Sequence, residues 1–375
     1  MPPPNGDRIA GLYLPPEWAE VFRAAPRHLF APNAGWDADR RVWIDRTADP
    51  ENWWATVYGD TAIVTQIDDG ATELTAETVV RTANYTCSLS APGVVLDFLR
   101  LLAPDPGDQT LEIGTGTGWT CALLSARVGD RNVTSVEVDP RLAERAAANL
   151  ELAAFAPTLI VGDGALGWAD RAPYDRVHVT CGVREIPYTW VTQTRPGGVI
   201  VAPWMAASGA RLKVRFVIAA NGTAVGRFHG GATYMLLRGQ REPLVPIHGE
   251  RRESPAGVDP RRLDQGGAGL RVALAGLLPG VTVGGGVRNP VDGTFRLVVR
   301  DLASDSHAIA VAPPDDGAAQ VTQRGPRDLW DELVTAYRDW VSWGEPDAER
   351  FGLDVTPDGQ RVWLDRPATP VERRT

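Results

Sequence analysis

Hydrophobic and polar positions in the middle of the chain form alternating strand and helix patterns. Four short apolar runs have the length of buried strands: TLEIG, VTSVEV, TLIVGD and DRVHVTC. Two helical patterns, TCALLSARVG and PRLAERAAANLELAAF, separate the first three of these runs. Short buried strands joined by helices are typical of a parallel sheet covered on both faces. The pattern therefore predicts an α/β, doubly wound Rossmann-like fold, with a ligand beyond the carboxyl ends of the strands.

Upstream of this core, the pattern predicts two helices and a strand region. The first helix, WAEVFRAA, follows two prolines and places four apolar residues on one face: Trp18, Val21, Phe22 and Ala25. Residues 41–67 alternate in the manner of strands. The second helix, VVLDFLRLL, starts at Ser90-Ala91-Pro92 and ends before Pro104.

Downstream of Pro203 the character of the chain changes. RLKVRFVIA and ATYMLLR are predicted as strands, and 242–269 as a loop-rich stretch. One amphipathic helix, DLWDELVTAYRDWVSW, and a final hairpin, FGLDVTPDGQRVWLD, follow. We expect an N-terminal segment that completes the substrate site at 1–90, a cofactor-binding core at 91–245, and a smaller α+β C-terminal region at 246–375.

The loop after the first core strand, LEIGTGTG, carries glycines at alternate positions, Gly114, Gly116 and Gly118. The spacing differs from the GxGxxG loop, which brings a pyrophosphate to a helix N-terminus. It suits S-adenosylmethionine, which has no phosphate, because bare backbone can lie against the methionine and ribose. Thr115 in the loop and Glu112 at the strand end are further cofactor-binding candidates. The alternative is an ordinary tight turn that needs glycine for positive φ.

Acidic residues end the next two strands. Glu137 ends the second strand, where a carboxylate can hold both ribose hydroxyls. Asp163, followed by Gly164, ends the third, where an acceptor can read the adenine amino group, although a turn-forming Asp-Gly pair is an alternative. Asp139 has the pattern of a helix N-cap. The site-forming loops are predicted at 114–118, 137–140, 163–167 and 180–187.

Composition and charge narrow the class of protein. Among the 375 residues, 43% are hydrophobic and 23% charged, as in soluble globular proteins. The formal charge of −9 argues against nucleic-acid and anionic membrane partners. No signal-peptide pattern or membrane-length apolar run occurs, which predicts a cytoplasmic protein. The histidines have no ligand spacing, so we expect no metal. Three cysteines are expected to be reduced and buried: Cys87, Cys121 and Cys181.

Over roughly residues 12–240 these features resemble the protein-L-isoaspartate O-methyltransferase family. The resemblance rests on FRAAPRHLFAP, SLSAP, LEIGTGTGWTCALLS, and GDGALGWADRAPYDRVHVTCGVREIP with RPGGVIVAP. It implies a class I methyltransferase that uses S-adenosyl-L-methionine to methylate carboxylates of a peptide or protein. The tail is similar to the C-terminal extension of actinobacterial members associated with ribosomally synthesised modified peptides of the lanthipeptide, graspetide or lasso type. This likeness implies that 246–375 engages a peptide substrate.

The resemblance also implies roles on the acceptor side. In the family, the serine of the SLSAP-like motif lies next to the substrate carboxyl, which corresponds to Ser90. A hydroxyl that caps or precedes the following helix is an equally supported alternative. Ser88 is a second catalytic candidate. The stretch Tyr85-Thr86-Cys87 departs from the family's usual glutamine, which bears on acceptor specificity and makes Tyr85 a substrate-binding candidate.

Two histidines are further substrate-binding candidates, His28 in the PRHLF segment and His229 before two glycines. His178 lies inside a predicted strand and is expected to be packed.

Three functions follow from this interpretation. The leading one is methylation of an aspartate in a modified, cyclised precursor peptide, leading to a succinimide (aspartimide) or isoaspartate. The second is housekeeping repair of isoaspartyl or D-aspartyl damage in proteins. The third is a non-catalytic module that binds S-adenosylmethionine or a peptide. A nicotinamide dehydrogenase is disfavoured by the glycine spacing. The oligomeric state is left open.

Overall fold

The computed structural model describes residues 9, 11–82, 84–241, 248–315 and 317–372 of the chain. The α-helices are α1 Pro16–Ala24, α2 Pro50–Val57, α3 Pro92–Leu102, α4 Trp119–Val128, α5 Pro140–Leu152, α6 Tyr188–Thr192, α7 Pro260–Gln265, α8 Gly267–Leu277 and α9 Leu329–Ser342. The strands are β1 Ala34–Asp37, β2 Val42–Asp45, β3 Ile63–Ile67, β4 Tyr85–Leu89, β5 Thr110–Ile113, β6 Val133–Glu137, β7 Thr158–Val161, β8 Tyr174–Val179, β9 Thr194–Met205, β10 Arg211–Ile218, β11 Ala224–Gly231, β12 Arg252–Pro255, β13 Val281–Val283, β14 Val287–Arg288, β15 Phe295–Asp301, β16 His307–Ala312, β17 Gln320–Arg324, β18 Phe351–Thr356 and β19 Gly359–Leu364.

The chain forms two compact units. Unit 1 comprises Met1–Gly182, Thr189–Ala202 and Val217–Gly222, and unit 2 comprises Val183–Tyr188, Pro203–Phe216 and Thr223–Thr375. Unit 1 therefore joins the predicted N-terminal segment to most of the predicted core. Three stretches predicted as core group with the C-terminal region instead: 183–188, 203–216 and 223–241. The functional roles of the three predicted segments stay predictions.

Unit 1 contains a parallel sheet with β5 at its centre. The strand order is β7-β6-β5-β8-β9, and each neighbouring pair runs parallel. Every residue of β5 and β6 is buried. Because successive residues point to opposite faces, both faces of these strands are covered. The predicted order of strands and helices and the Rossmann-like α/β fold are confirmed.

A second, antiparallel sheet of unit 1 has the order β2-β1-β3-β4. The expectation of continuous strand pattern over 41–67 is wrong, because α2 stands between β2 and β3. Asp49 caps this helix by accepting a hydrogen bond from the amide of Asn52 at 3.1 Å, and Pro50 opens its first turn. The Asp-Pro signal was present in the sequence, but the alternation around it masked the helix.

Unit 2 contains two sheets. One includes β10-β11-β18-β19, and the other has the order β12-β17-β16-β15-β13 with β14 paired to β15. The predicted C-terminal hairpin is confirmed as the antiparallel pair β18 and β19. The predicted amphipathic helix is confirmed as α9.

Three sequence predictions in unit 2 are wrong. ATYMLLR is not a strand, since β11 occupies the preceding Ala224–Gly231. The stretch 242–269 contains β12 and α7, and α8 follows, so α9 is not the only helix of this region. The amphipathic period of α8 is hard to recognise in its sequence, GAGLRVALAGL. The helix contains several glycines, and its apolar residues lie on several faces.

The cysteines are all free thiols. Cys87 and Cys121 are buried as predicted, whereas Cys181 is partly exposed because it lies beyond the end of β8. Within the described ranges, no helix has the length and apolar character needed to cross a membrane. His178 is packed as predicted, with its ring edge-on to Phe98 at 6.0 Å between centroids.

Candidate active site

The glycine loop between β5 and α4 has a backbone that only glycine adopts readily. Gly114, Gly116 and Gly118 have φ of 93°, 54° and 88°. A Cβ on Gly114 would also lie 2.5 Å from Oγ1 of Thr180, which is hydrogen-bonded to Ile113 O at 2.9 Å. The alternative of a tight turn that needs glycine for positive φ is therefore confirmed. The same loop also presents bare backbone, which leaves room for a ligand.

The carboxylate of Glu137 is held by two backbone amides at the end of β6. Its Oε2 accepts from Gly116 N at 2.9 Å, and its Oε1 accepts from Asp139 N at 3.1 Å. Each oxygen retains a second lone pair for a hydroxyl donor. The glycine cradle and this fixed, paired acceptor fit the methionine, ribose and ribose hydroxyls of S-adenosylmethionine.

Glu112 lies beneath the glycine loop and is fully buried. Its Oε2 accepts from Ser135 Oγ at 2.6 Å, and Ser135 Oγ in turn lies 2.6 Å from Thr115 Oγ1. The carboxyl group of Glu112 has no exposed surface, and its contact with the cofactor stays a prediction. Hydrogen bonds through Ser135 link Glu112 to Thr115 of the loop. The hydroxyl of Thr115, another cofactor-binding candidate, is engaged in this same chain.

Burial raises the pKa of Glu112 from 4.5 to about 8, so the folded protein holds a proton there that the unfolded chain releases. Stability is then highest in acid and falls as pH rises through the folded pKa. Between about pH 6 and pH 8.5 we expect the free energy of unfolding to fall by roughly 2–3 kcal/mol from this group. Urea denaturation at both pH values should show that Glu112→Gln lacks this loss. An equal pH dependence in both proteins would contradict the assignment.

The end of β7 forms the predicted Asp-Gly turn. Asp163 Oδ1 accepts from Ala165 N at 2.9 Å, while the side chain stays exposed. A Cβ on Gly164 would lie 2.6 Å from Ile113 Cγ2, so glycine permits the close packing of this turn. The adenine role of Asp163 stays a prediction. The predicted N-cap role of Asp139 is confirmed, since its side chain accepts from the amides that begin α5.

Strand β4 runs beside the glycine loop. The Cβ position of Gly116 lies 3.6 Å from Cys87 Sγ and 4.0 Å from Ser88 O. Ser88 is half-buried. The structure thus brings β4, which we predict to lie on the acceptor side, close to the predicted cofactor loop.

Ser90 follows β4 and precedes α3. Ala91, not Ser90, is the N-cap of α3, and no side chain at that position caps the helix. Asp60 supplies the acceptor instead, taking a hydrogen bond from Gly93 N at 2.7 Å. Ser90 is therefore not the N-cap of α3, but it does precede the N-cap, so only the first half of the capping alternative is wrong. Its hydroxyl is half-buried, and its acceptor role stays a prediction.

Arg27 is a residue of this region that the sequence interpretation missed. Its buried guanidinium donates to Val57 O at 2.6 Å, to Thr61 O at 2.8 Å and to Ser90 O at 2.9 Å. It therefore ties the end of β4 to the turn between α2 and β3. An arginine directly after Pro26 in the family-like PRHLF segment is the signal in the sequence, but the sequence alone does not show the carbonyls that Arg27 binds.

His28 contacts other side chains of the N-terminal segment. Its Nδ1 lies 2.6 Å from the hydroxyl of Tyr58, and its ring centroid lies 5.2 Å from that of Trp54. Burial, and then the charge of Arg46, lower the pKa of His28 below its usual value. The structure gives it a structural partner, and its substrate role stays a prediction.

Tyr85 and His229 differ in their surroundings. Tyr85 packs against a buried cluster that includes Trp36 and Ile67, so the structure gives its ring a packing role at the far end of β4. His229 is exposed on β11 in unit 2, and the partial desolvation of its ring, followed by the charges of Arg215 and Lys213, lowers its pKa. Its substrate role stays a prediction. No group of three or more His, Cys, Asp or Glu side chains in the described ranges is placed to hold a metal.

Comparison with known proteins identifies the family. The family model described as Protein-L-isoaspartate(D-aspartate) O-methyltransferase matches residues 69–242. A protein-L-isoaspartate O-methyltransferase of Pyrococcus horikoshii is 34% identical over 165 residues, covering 44% of this chain and 71% of that protein. The chain belongs to the protein-L-isoaspartate O-methyltransferase family. The prediction of a carboxyl O-methyltransferase that depends on S-adenosyl-L-methionine is thereby confirmed.

Further relatives extend the likeness within this family. Protein-L-isoaspartate O-methyltransferase 2 of Archaeoglobus fulgidus is 32% identical over 186 residues, or 49% of this chain and 68% of that protein. A solved structure described as protein-L-isoaspartate O-methyltransferase covers 94% of this chain and 96% of its own, with 22% identity and a TM-score of 0.55. The shared fold therefore extends into the C-terminal region.

Proposed function

We propose that this enzyme methylates the side-chain carboxylate of an aspartyl or isoaspartyl residue in a peptide, and that its preferred acceptor is an aspartate of a modified, cyclised precursor peptide. The observation that carries the reaction class is the passage of β4 beside Gly116, whose amide also holds Glu137. This arrangement supports an acceptor position next to the predicted cofactor loop, with Ser88 on the strand that borders it.

S-adenosylmethionine supplies an electrophilic methyl group on a positively charged sulfonium. In our proposal, Glu137 and the glycine loop orient that group, and Ser90 donates a hydrogen bond that orients the acceptor carboxylate. The acceptor already carries a negative charge, so no residue of this chain has to remove a proton. Because two opposite charges are neutralised, a water-poor site favours the reaction, and orientation contributes at most about 7–11 kcal/mol.

The proposed ester product has further chemistry of its own. The backbone amide nitrogen that follows the methylated residue attacks the ester carbonyl, and methanol leaves. A succinimide forms, and its hydrolysis gives aspartyl and isoaspartyl forms. None of these later steps requires a further group from the enzyme.

The preference for a precursor peptide is supported by the acceptor strand. Cys87, whose Sγ is the atom of β4 nearest to the Cβ position of Gly116, lies in the stretch where the family usually has glutamine. A changed side chain there alters the wall of the acceptor site. We further propose that residues 246–375 help to engage the peptide. The presence of this region does not by itself favour a precursor peptide over a damaged protein. A solved structure described as protein-L-isoaspartate O-methyltransferase aligns with 94% of this chain and therefore has a comparable region.

Repair of isoaspartyl damage is the second candidate. The curated relatives named above are described as protein-L-isoaspartate O-methyltransferases, and this family likeness favours an isoaspartyl acceptor. The chemistry is the same, and only the acceptor differs.

Turnover on four matched peptides separates the two candidates. The peptides carry aspartate or isoaspartate at one position, each in a linear and a cyclised form. We expect the highest kcat/KM on the cyclised aspartyl peptide, measured by methanol release and intact mass. Efficient turnover confined to the isoaspartyl peptides would overturn the precursor-peptide proposal and favour repair.

A further inference from the structure

A chain of hydrogen bonds joins the acceptor strand to Glu137 through Gln66. Thr86 Oγ1 on β4 donates to Gln66 Oε1 at 2.9 Å, and Gln66 Nε2 donates to Asp139 Oδ2 at 3.1 Å. The amide of Asp139 then donates to Glu137 Oε1 at 3.1 Å. The other oxygen of Glu137 accepts from Gly116 N. Three consecutive bonds therefore connect β4 with the carboxylate that faces the predicted cofactor loop.

The backbone of β3 is irregular where Gln66 leaves it. The pairing of β3 with β4 shifts register on both sides of Gln66, which lies opposite Cys87, while Val64 lies opposite Ser88. Bulges of this kind re-aim a side chain and occur preferentially beside active sites. Here the irregularity directs the amide of Gln66 across to the start of α5, where it meets Asp139.

Asp139 joins two parts of this hydrogen-bond network, the cap of α5 and the bond from Gln66. Its Oδ1 accepts from Arg141 N at 3.0 Å and so caps α5, while its Oδ2 accepts from Gln66. Both side chains are buried, with 8% of Gln66 and 3% of Asp139 exposed. A buried donor or acceptor that loses its partner pays a desolvation penalty, so the pair resists separation. Displacement of Asp139 would also displace the amide that holds Glu137.

We infer that Gln66 is a positioning residue that sets the acceptor strand and the cofactor carboxylate Glu137 in one fixed arrangement. The inference rests on the proposed function, because the proposed function assigns β4 to the acceptor and Glu137 to the cofactor. In this role Gln66 does not contact the methyl group or the acceptor carboxylate. It transmits the position of one binding element to the other.

An exchange of the two side chains tests the inference. Gln66→Glu places a carboxylate against that of Asp139, and we expect the Kd for S-adenosylhomocysteine to rise about tenfold as a charge-assisted bond is lost. Adding Asp139→Asn reverses the bond, because the new amide group at position 139 donates to the new carboxylate at position 66, while its oxygen still caps α5. The double variant should regain affinity to within about threefold of wild type. Isothermal calorimetry measures all three proteins.

A ligand-free readout accompanies the binding data. Hydrogen exchange of the amides at 116 and 137–141 should be faster in Gln66→Glu and recover in the exchange variant. The matched control is Gln323→Glu. Gln323 is a buried strand glutamine of unit 2 that donates to Asp331 Oδ2 at 3.2 Å, so the same substitution also places two carboxylates together there, with the difference that Asp331 is exposed. It should lower stability without changing the Kd.

Two results would overturn the inference: wild-type affinity and exchange in Gln66→Glu, or a double variant that stays as weak as the single one. If Gln66→Glu does not fold, Gln66→Met is used in its place. We expect Gln66→Met to bind S-adenosylhomocysteine more weakly than wild type, and we expect that adding Asp139→Asn does not restore the affinity. Failure of the proposed function is distinguishable. In that case the wild type binds S-adenosylhomocysteine but methylates no peptide, while the binding and exchange results still decide the role of Gln66.

Discussion

Gly114→Ala is expected to abolish cofactor binding, with a rise of more than about 100-fold in the Kd for S-adenosylhomocysteine. The new Cβ would lie 2.5 Å from Thr180 Oγ1, which is fixed by its hydrogen bond to Ile113 O. The residue would also have to keep a φ of 93°. Either Thr180 has to give up its hydrogen bond or the loop has to move. Calorimetric titration measures the loss of affinity, and urea denaturation measures the loss of stability.

Gly107→Ala is the matched control for this prediction. Gly107 has a φ of 90°, and its Cβ would meet nothing within 4 Å. The control therefore carries the conformational penalty alone, about 1–2 kcal/mol of stability, and should bind S-adenosylhomocysteine normally. Equal affinity in the two variants would show that the contact with Thr180 does not shape the cofactor loop.

Glu137→Gln should weaken S-adenosylhomocysteine binding by roughly 30- to 150-fold, equivalent to about 2–3 kcal/mol. Both carboxylate oxygens accept from backbone amides, those of Gly116 and Asp139. A glutamine amide group would turn its NH2 toward one of these donors, so the substitution is not conservative. In addition, one oxygen that we assign to the ribose hydroxyls is lost.

Glu144→Gln is the control for the loss of charge, because Glu144 is exposed on α5. It should bind S-adenosylhomocysteine as the wild type does. If Glu137→Gln also kept wild-type affinity, the assignment of Glu137 to the cofactor would be wrong.

The parallel sheet and the cofactor loop could be predicted because local pattern determines both. Continuous apolar strands such as β5 and β6 are long enough to be recognised, and glycines at alternate positions indicate a backbone with positive φ. The position of Glu137 at the end of β6 could be predicted because it follows from the sheet, and its cofactor role stays a prediction. In unit 2, short strands and glycine-rich segments carry weaker periodicity, and α7 and α8 were missed there.

The contacts of single side chains could not be predicted, because they depend on residues distant in sequence. Glu112 stands at a strand end, as Glu137 does, but the fold buries it completely. Arg27 acquires its role only when carbonyls of two distant segments converge on it. Gln66 reaches Asp139 across 73 positions of sequence. A single sequence read by local pattern does not show such pairings.

The most direct test of the central claim is intact mass spectrometry of an aspartate-containing peptide incubated with the enzyme and S-adenosylmethionine carrying an isotopically labelled methyl group. We predict a gain of one labelled methyl group on the peptide, followed by release of labelled methanol and formation of a succinimide. Transfer of the label to a nitrogen, or to a carboxylate-free control peptide, would contradict carboxylate methylation. So would an unchanged mass in both aspartyl and isoaspartyl peptides under conditions where S-adenosylmethionine binds.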